Sequence, residues 1–150
     1  LSIFQEKTAP AFSVALLLGA LAANASEEIC QILKKYSDFL GIAYQIQDDI
    51  EDSRQEGNLL SLSHPSLFVA LALENRGEEE RAFLLDFLSK KISDKEEERA
   101  RGILQSKKIQ EKAKNLKEEY IQKIYQSLVC LENTELKQLL YRVVGKIIKN

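Results

Sequence analysis

The stretch Gln45-Ile46-Gln47-Asp48-Asp49-Ile50-Glu51-Asp52 places four carboxylates within five positions. It closes a long segment in which apolar residues recur at helical spacing, so the acids come at the carboxyl end of a predicted helix. Exposed acids there are each disfavoured by about 0.3–1 kcal/mol, because that end of the helix dipole is negative. We therefore expect these acids to have a functional role. Carboxylate oxygens in this density are ligands that suit Mg²⁺.

The segment before the acids predicts one unusually long helix, from Ser26 to about residue 52. With residues placed about 100° apart, its apolar positions fall in one arc: Ile29, Ile32, Leu33, Tyr36, Phe39, Leu40, Ala43, Ile46 and Ile50. The opposite arc holds the polar positions of the acidic end, Gln45, Asp48, Asp49 and Asp52. Lys34 and Asp38 also lie in that arc, as they would on an ordinary solvated face. Periodicity alone thus does not decide whether this arc is a metal-binding site or an ordinary solvated face.

The rest of the chain also predicts helices, because Gly (6) and Pro (2) are scarce and no alternating strand pattern competes. The predicted helices cover residues 11–23, 26–52, 66–75, 78–91, 94–105, 106–131 and 135–149. We expect Thr8 and Thr134 to cap the first and last of them. Residues 11–23 are apolar all round, which is typical of a buried central helix and fits either a core or an interface. The fold class is therefore all-α, a bundle of about seven helices.

Composition limits the class of protein. With 45% hydrophobic and 29% charged residues, the chain resembles a soluble globular protein. No dense Lys/Arg patch with aromatics is present, which disfavours a nucleic-acid partner. The apolar run 11–23 is too short to span a bilayer, so we do not expect an integral membrane protein. We expect a cytoplasmic location. The chain lacks Met throughout, so we expect a segment of a longer product.

Two cysteines, Cys30 and Cys130, lie a hundred residues apart without metal-binding spacing. They predict two buried free thiols, and a disulfide between them stays open.

Three features together resemble the C-terminal half of the trans-prenyl diphosphate synthases (polyprenyl synthetases). They are Lys7-Thr8-Ala9, an Ala/Leu-rich helix with Gly19-Ala20, and the run Gly41-Ile-Ala-Tyr-Gln-Ile-Gln-Asp-Asp-Ile-Glu-Asp52. The likeness is strongest over residues 1–52 and continues as a compatible helix pattern to the end. It implies a helical bundle of the isoprenoid synthase type, with residues 1–150 as a single all-α segment of a larger domain.

The resemblance also implies a chemistry. The family condenses an allylic diphosphate with isopentenyl diphosphate, and two Asp-rich motifs hold Mg²⁺ ions against the allylic diphosphate. By resemblance, Asp48, Asp49 and Asp52 are the second of these metal-binding motifs. Lys7 and Thr8 would contact the diphosphate, while Gln45 would steady the allylic cation or diphosphate. Lys7 and Gln45 are thus the candidate catalytic residues, and the free N–H groups of a helix that starts at Thr8 suit an anion.

Two departures from the family pattern bear on activity. The sequence holds no other DDxxD motif, so we expect that this chain alone does not turn over. The loop after Asp52 contains Arg54 and no lysine, with Ser61 where a second family lysine is expected. Three hypotheses stay open. The chain is half of a prenyl synthase, acting as a homodimer or with the missing amino-terminal half; it is a non-catalytic family subunit; or it is a helical interaction module.

Overall fold

The computed structural model describes residues 9–54, 66–75, 77–89 and 93–148. Within these ranges the chain forms seven helices and no strand, which confirms the all-α prediction. The helices are α1 (Ala9–Ala22), α2 (Glu27–Asp52), α3 (Leu67–Asn75), α4 (Glu78–Ser89), α5 (Asp94–Leu104), α6 (Lys107–Ser127) and α7 (Thr134–Ile147). They belong to two compact units. The first unit comprises Leu1–Gln47 and Lys117–Asn150, and the second comprises Asp48–Leu116.

Helix α2 runs for 26 residues without a break, as its apolar spacing predicts. Its first turn carries Glu27 and Glu28, which favour the positive end of the helix dipole. Ser26 supports the start, since its Oγ accepts a hydrogen bond from the Ile29 amide at 3.4 Å. The helix ends at Asp52, and the hydroxyl of the next residue, buried Ser53, donates to the Ile50 carbonyl at 2.8 Å. This long helix carries the Asp-rich segment at its carboxyl end.

The first unit packs α2 against α6 and α7. The hydroxyl of fully buried Tyr36 donates to the Leu140 carbonyl of α7 at 2.9 Å. The rings of Phe39 and Tyr120 lie 6.2 Å apart between centroids and join α2 to α6. The buried apolar residues of this unit include Leu33, Leu40, Ala43, Ile46, Ile121, Ile124, Leu128, Leu131, Val144 and Ile148.

Helix α1 leaves one apolar face exposed. Val14, Leu18 and Leu21 are 56%, 62% and 65% exposed, and their spacing of four and three residues puts them on one side. Another part of the helix packs, because the Phe12 ring meets the Tyr44 ring edge-on at 6.2 Å. The prediction that this helix is buried is wrong for this chain, because only part of its surface has a described neighbour. The interface alternative stays open.

The turn between α1 and α2 uses a left-handed residue. Asn24 has φ 52°. Its amide donates to the Leu21 carbonyl at 3.0 Å, and the Ala25 amide donates to the Ala20 carbonyl at 2.9 Å. This pair of bonds is a Schellman motif, in which asparagine is the usual substitute for glycine. It turns the chain sharply, so that residues 23–26 suffice to connect α1 to α2.

The second unit is built from the end of α2, α3 to α5 and the start of α6. Helices α3, α4 and α5 contact one another pairwise. The Arg99 guanidinium of α5 lies 4.3 Å from the centroid of the Phe83 ring of α4 and 3.7 Å from the Glu79 carboxylate. Ser93 caps α5, since its amide donates to the Glu96 carboxylate at 3.0 Å in a capping box.

Two local predictions need correction. The cap of α7 is Asn133 rather than Thr134, because the Asn133 side-chain oxygen accepts from the Leu136 amide at 2.9 Å. Both cysteines are free, as predicted, but neither is buried. Cys30 is half-buried, and Cys130 is exposed because it lies in the turn after α6, which ends at Ser127.

Candidate functional site

The Asp-rich segment forms the end of α2, within the second unit. Asp48 and Asp52 are exposed, while Asp49 and Glu51 are half-buried. Asp48 and Asp52 are one helical turn apart, so their side chains are neighbours on the helix surface. The exposed pair is therefore accessible from solvent, and its role as a metal ligand stays a prediction.

The last turn of α2 is acidic. No basic residue lies in the last turn of α2. The pKa of Asp48 is raised above its usual value, first by burial and then by the negative charges of Asp52 and Glu51. A cation beside the Asp48–Asp52 pair would offset this repulsion, because it favours the ionised form of both carboxyls.

Asp49 has a different environment from its neighbour. Its Oδ2 accepts a hydrogen bond from the backbone amide of Leu67, with 2.6 Å between nitrogen and oxygen. Leu67 begins α3, where an amide has no acceptor inside the helix. Ser66 supports the same helix start, since its Oγ accepts from the Val69 amide at 3.3 Å. Asp49 and Ser66 therefore cap α3 together, a role that the sequence analysis missed.

Gln45 belongs to the first unit and is 8% exposed. Gln47 is 6% exposed, and Gly41 is also buried. A fully solvated polar face would have left Gln45 in water, so that interpretation does not hold at this position. The role of Gln45 toward an allylic cation or diphosphate stays a prediction.

Three residues of the sequence argument, Lys7, Thr8 and Ser61, lie outside the described residues. The predicted contacts of Lys7 and Thr8 with a diphosphate stay predictions. Arg54, which follows the Asp-rich segment, is described and exposed. It is the basic side chain nearest in sequence to Asp52.

The donors present fit part of a Mg²⁺ site. In the described ranges, no three His, Cys, Asp or Glu side chains are grouped closely enough to hold a metal by themselves. Mg²⁺ is commonly bound by one or two carboxylates together with substrate phosphates, and it prefers hard oxygen donors. The exposed Asp48–Asp52 pair supplies donors of this type and number.

A separate cavity of about 200 Å³ opens in the first unit. It lies between the start of α2 and the turn after α6, where Ile29, Ile32 and Cys130 line it. Sequence reasoning could not find this cavity, because its walls come from segments about a hundred residues apart. It shares no residue with the Asp-rich segment.

Comparison with known proteins identifies the family. The polyprenyl synthetase family model matches residues 1–106. The chain belongs to the polyprenyl synthetase family. A curated relative, the geranylgeranyl diphosphate synthase of Sulfolobus acidocaldarius, is 30% identical over 136 residues, which are 85% of this chain and 41% of that protein. All six residues proposed for the site fall within the matched range.

Solved structures of polyprenyl synthetases share the fold. A decaprenyl diphosphate synthase from Rhodobacter capsulatus has 27% identity and a TM-score of 0.81, covering 98% of this chain and 47% of that one. A polyprenyl synthase from Caulobacter crescentus, complexed with calcium and isoprenyl diphosphate, has 22% identity and a TM-score of 0.79. It covers 99% of this chain and 48% of that one. The isoprenoid synthase fold is thus confirmed, and the chain spans about half the length of these relatives.

Proposed function

We propose that this chain is the half of a prenyl diphosphate synthase that supplies the second Asp-rich Mg²⁺-binding motif. The complete site would condense an allylic diphosphate with isopentenyl diphosphate. The observation that carries this proposal is the exposed Asp48–Asp52 pair at the end of α2, inside the range that matches the family. The relative from S. acidocaldarius makes geranylgeranyl diphosphate, and the C. crescentus structure holds calcium and isoprenyl diphosphate.

The proposed division of labour follows from charge. When bound, Mg²⁺ would stabilise the negative charge that develops on the diphosphate as its C–O bond to the allylic group breaks. Asp48 and Asp52 would hold that ion at the end of α2, which offsets the repulsion between the two carboxylates. Lys7 would place a point charge on the diphosphate, and Thr8 would present the amides of a helix start to it. Gln45 would orient the allylic group of the diphosphate substrate.

The proposal includes a partner. Val14, Leu18 and Leu21 form one exposed apolar face on α1. Single exposed apolar residues are normal on a protein surface, whereas a contiguous exposed patch often marks an interaction site. We propose that a second copy of the chain, or the amino-terminal half of the fold, covers this face. Of these two partners, only the amino-terminal half would also bring a first DDxxD motif, because the present sequence, and therefore any second copy of it, has only one Asp-rich motif.

A reconstitution assay tests the function. The chain is mixed with a polypeptide that carries the amino-terminal half of a family member, and labelled isopentenyl diphosphate and farnesyl diphosphate are supplied with Mg²⁺. We expect product only in the mixture, with a loss of about 10²-fold or more for Asp48→Asn. Asp38→Asn, on the same helix and without a proposed role, is the matched control. Activity that is unchanged in Asp48→Asn would contradict the proposed metal site.

The loop sequence favours a second candidate, a non-catalytic subunit that keeps the fold and pairs with an active partner. The observation behind it is Ser61 where the family has a lysine, with Arg54 as the loop's basic residue. Ser61→Lys in the reconstituted mixture separates the two candidates. A gain in turnover indicates a weakened enzyme, whereas no gain supports the non-catalytic subunit.

A further inference from the structure

We propose that Asp49 is a positioning residue that anchors the start of α3, and that Asp48 and Asp52 alone face the cation. This inference refines the metal site, and only its statement about the cation rests on the proposed function. It gives Asp49 a different role from Asp48 and Asp52, although all three acids belong to the same sequence motif.

The first argument is the partner of Asp49. Its Oδ2 accepts a hydrogen bond from the Leu67 amide at 2.6 Å. Hydrogen bonds from a backbone amide at a helix start to an ionised carboxylate are about twice as strong as bonds between neutral groups. The N-terminus of a helix carries a partial positive charge, so α3 already provides this carboxylate with a favourable electrostatic partner. A divalent ion on the same carboxylate would meet the positive end of α3 and compete with it.

The second argument is direction. Successive residues of a helix point about 100° apart, so Asp48 and Asp49 point in different directions. Asp52 is a surface neighbour of both, at i+4 from Asp48 and i+3 from Asp49, and the hydrogen bond to Leu67 is what distinguishes Asp49 from the other two. Asp48 and Asp52 are exposed, whereas Asp49 is half-buried and points toward the start of α3, where Leu67 is 2% exposed.

The third argument is what the contact fixes. At the end of α2, the Ser53 amide donates to the Asp49 carbonyl at 3.0 Å. At the start of α3, the Leu67 amide donates to the Asp49 carboxylate. Asp49 thus bonds through both its backbone and its side chain, and it fixes the last turn of α2. That turn sets the direction of the Asp48 and Asp52 side chains.

The test combines hydrogen exchange at the Leu67 amide with Mn²⁺ binding to the full chain, Mn²⁺ standing in for Mg²⁺. In Asp49→Ala we expect the Leu67 amide to exchange about tenfold faster, since it loses a charged acceptor. We also expect Mn²⁺ to bind about tenfold more weakly, as after loss of a residue that orients a ligand. Asp49→Asn keeps an acceptor oxygen and should restore both values to within about threefold.

Asp48→Asn, at the adjacent position, is the variant with which Asp49→Asn is compared. It should weaken Mn²⁺ binding by about tenfold and leave the exchange of the Leu67 amide unchanged, because it removes a ligand and no anchor. If Asp49→Asn weakens Mn²⁺ binding as much as Asp48→Asn does, Asp49 is a ligand and the proposal is wrong. If Asp49→Ala leaves either Leu67 exchange or Mn²⁺ affinity unchanged, the positioning role is also wrong. Absence of Mn²⁺ binding in the unmodified chain would instead contradict the proposed function, and the exchange measurement would still decide whether Asp49 anchors α3.

Discussion

Asp48 and Asp49 are adjacent in α2, yet their carboxylates meet different surroundings. Asp48 is exposed beside Asp52 and Glu51, and its pKa is raised by burial and by those two charges. Asp49 accepts the Leu67 amide and serves as a cap. At the residue scale, the same side-chain chemistry therefore costs stability at one position and contributes it at the next.

Replacing Asp48 by Asn should stabilise the chain when no divalent cation is present. The change removes a like-charge pair one turn apart, so the free energy of unfolding should rise by about 0.2–0.5 kcal/mol. Denaturant unfolding with and without Mg²⁺ measures the effect, with Asp38→Asn as control. Mg²⁺ should stabilise the unmodified chain more than the variant. A lower stability of Asp48→Asn without Mg²⁺ would contradict the repulsion.

Tyr36→Phe should destabilise the first unit. The hydroxyl of Tyr36 is buried and donates to the Leu140 carbonyl, so its loss should cost about 1 kcal/mol of unfolding free energy. Tyr141→Phe is the control, because Tyr141 is 40% exposed and removal of its hydroxyl should change stability by less than about 0.5 kcal/mol. Equal effects of the two substitutions would contradict the proposed value of the buried bond.

The same residue predicts a dependence on alkaline pH. Burial raises the pKa of Tyr36, and the nearby Tyr125 raises it further. Above about pH 10 the unfolded chain loses this proton while the folded chain keeps it, so stability falls as pH rises, by at most about 1.4 kcal/mol per pH unit. Tyr36→Phe should show a shallower decline than Tyr141→Phe in unfolding curves at successive pH values. Parallel declines would show that Tyr36 does not set this dependence.

At the scale of the helices, the residue that caps each end cannot be assigned from helix propensity alone. Asn133 caps α7 through the Leu136 amide. Thr134 is already the first helical residue, and its hydroxyl lies 3.5 Å from the Glu132 carbonyl. Both residue types are good caps, so sequence spacing could not decide between them.

Alanine at each position separates the two candidates for this cap. Asn133→Ala should lower the unfolding free energy by about 1 kcal/mol, since it leaves the Leu136 amide without its acceptor. Thr134→Ala should cost less than about 0.5 kcal/mol, because it removes no cap. Thermal or denaturant unfolding of both variants measures the difference, and the reverse order would contradict the assignment.

Sequence predicted the positions of all seven helices, because apolar periodicity records which face of a helix is buried. It identified the apolar stripe of α2, where Tyr36 and Ile46 are buried as expected. It could not predict the exposed side of α1, since the burial of an apolar face depends on what packs against it. It also missed the Asp49 cap, because Leu67 is 18 residues away and nothing local links the two.

The whole molecule is the largest scale. The chain belongs to the polyprenyl synthetase family, and it spans 41% of the S. acidocaldarius relative. Across the described part of the chain, no helix is both long enough and apolar enough to cross a bilayer. A cytoplasmic location stays a prediction. The apolar face of α1 is the surface at which we expect the chain to meet its partner.

A charge on this face should block association. Leu18→Glu puts a carboxylate at a position that is already 62% exposed, so the fold should tolerate it, while a partner would have to bury the charge. Sedimentation velocity of the chain, alone and with an amino-terminal half, should show less complex for this variant. Leu85→Glu on α4, where Leu85 is 50% exposed, is the control. Equal association of both variants would exclude α1 as the contact surface.

The most direct test of the central claim is calorimetric titration of the chain with a bisphosphonate analogue of an allylic diphosphate, with and without Mg²⁺. The account predicts binding that requires Mg²⁺. It also predicts that binding is lost in the double variant Asp48→Asn/Asp52→Asn and retained in Asp38→Asn. Binding that is independent of Mg²⁺, or equal in the double variant and the unmodified chain, would contradict it.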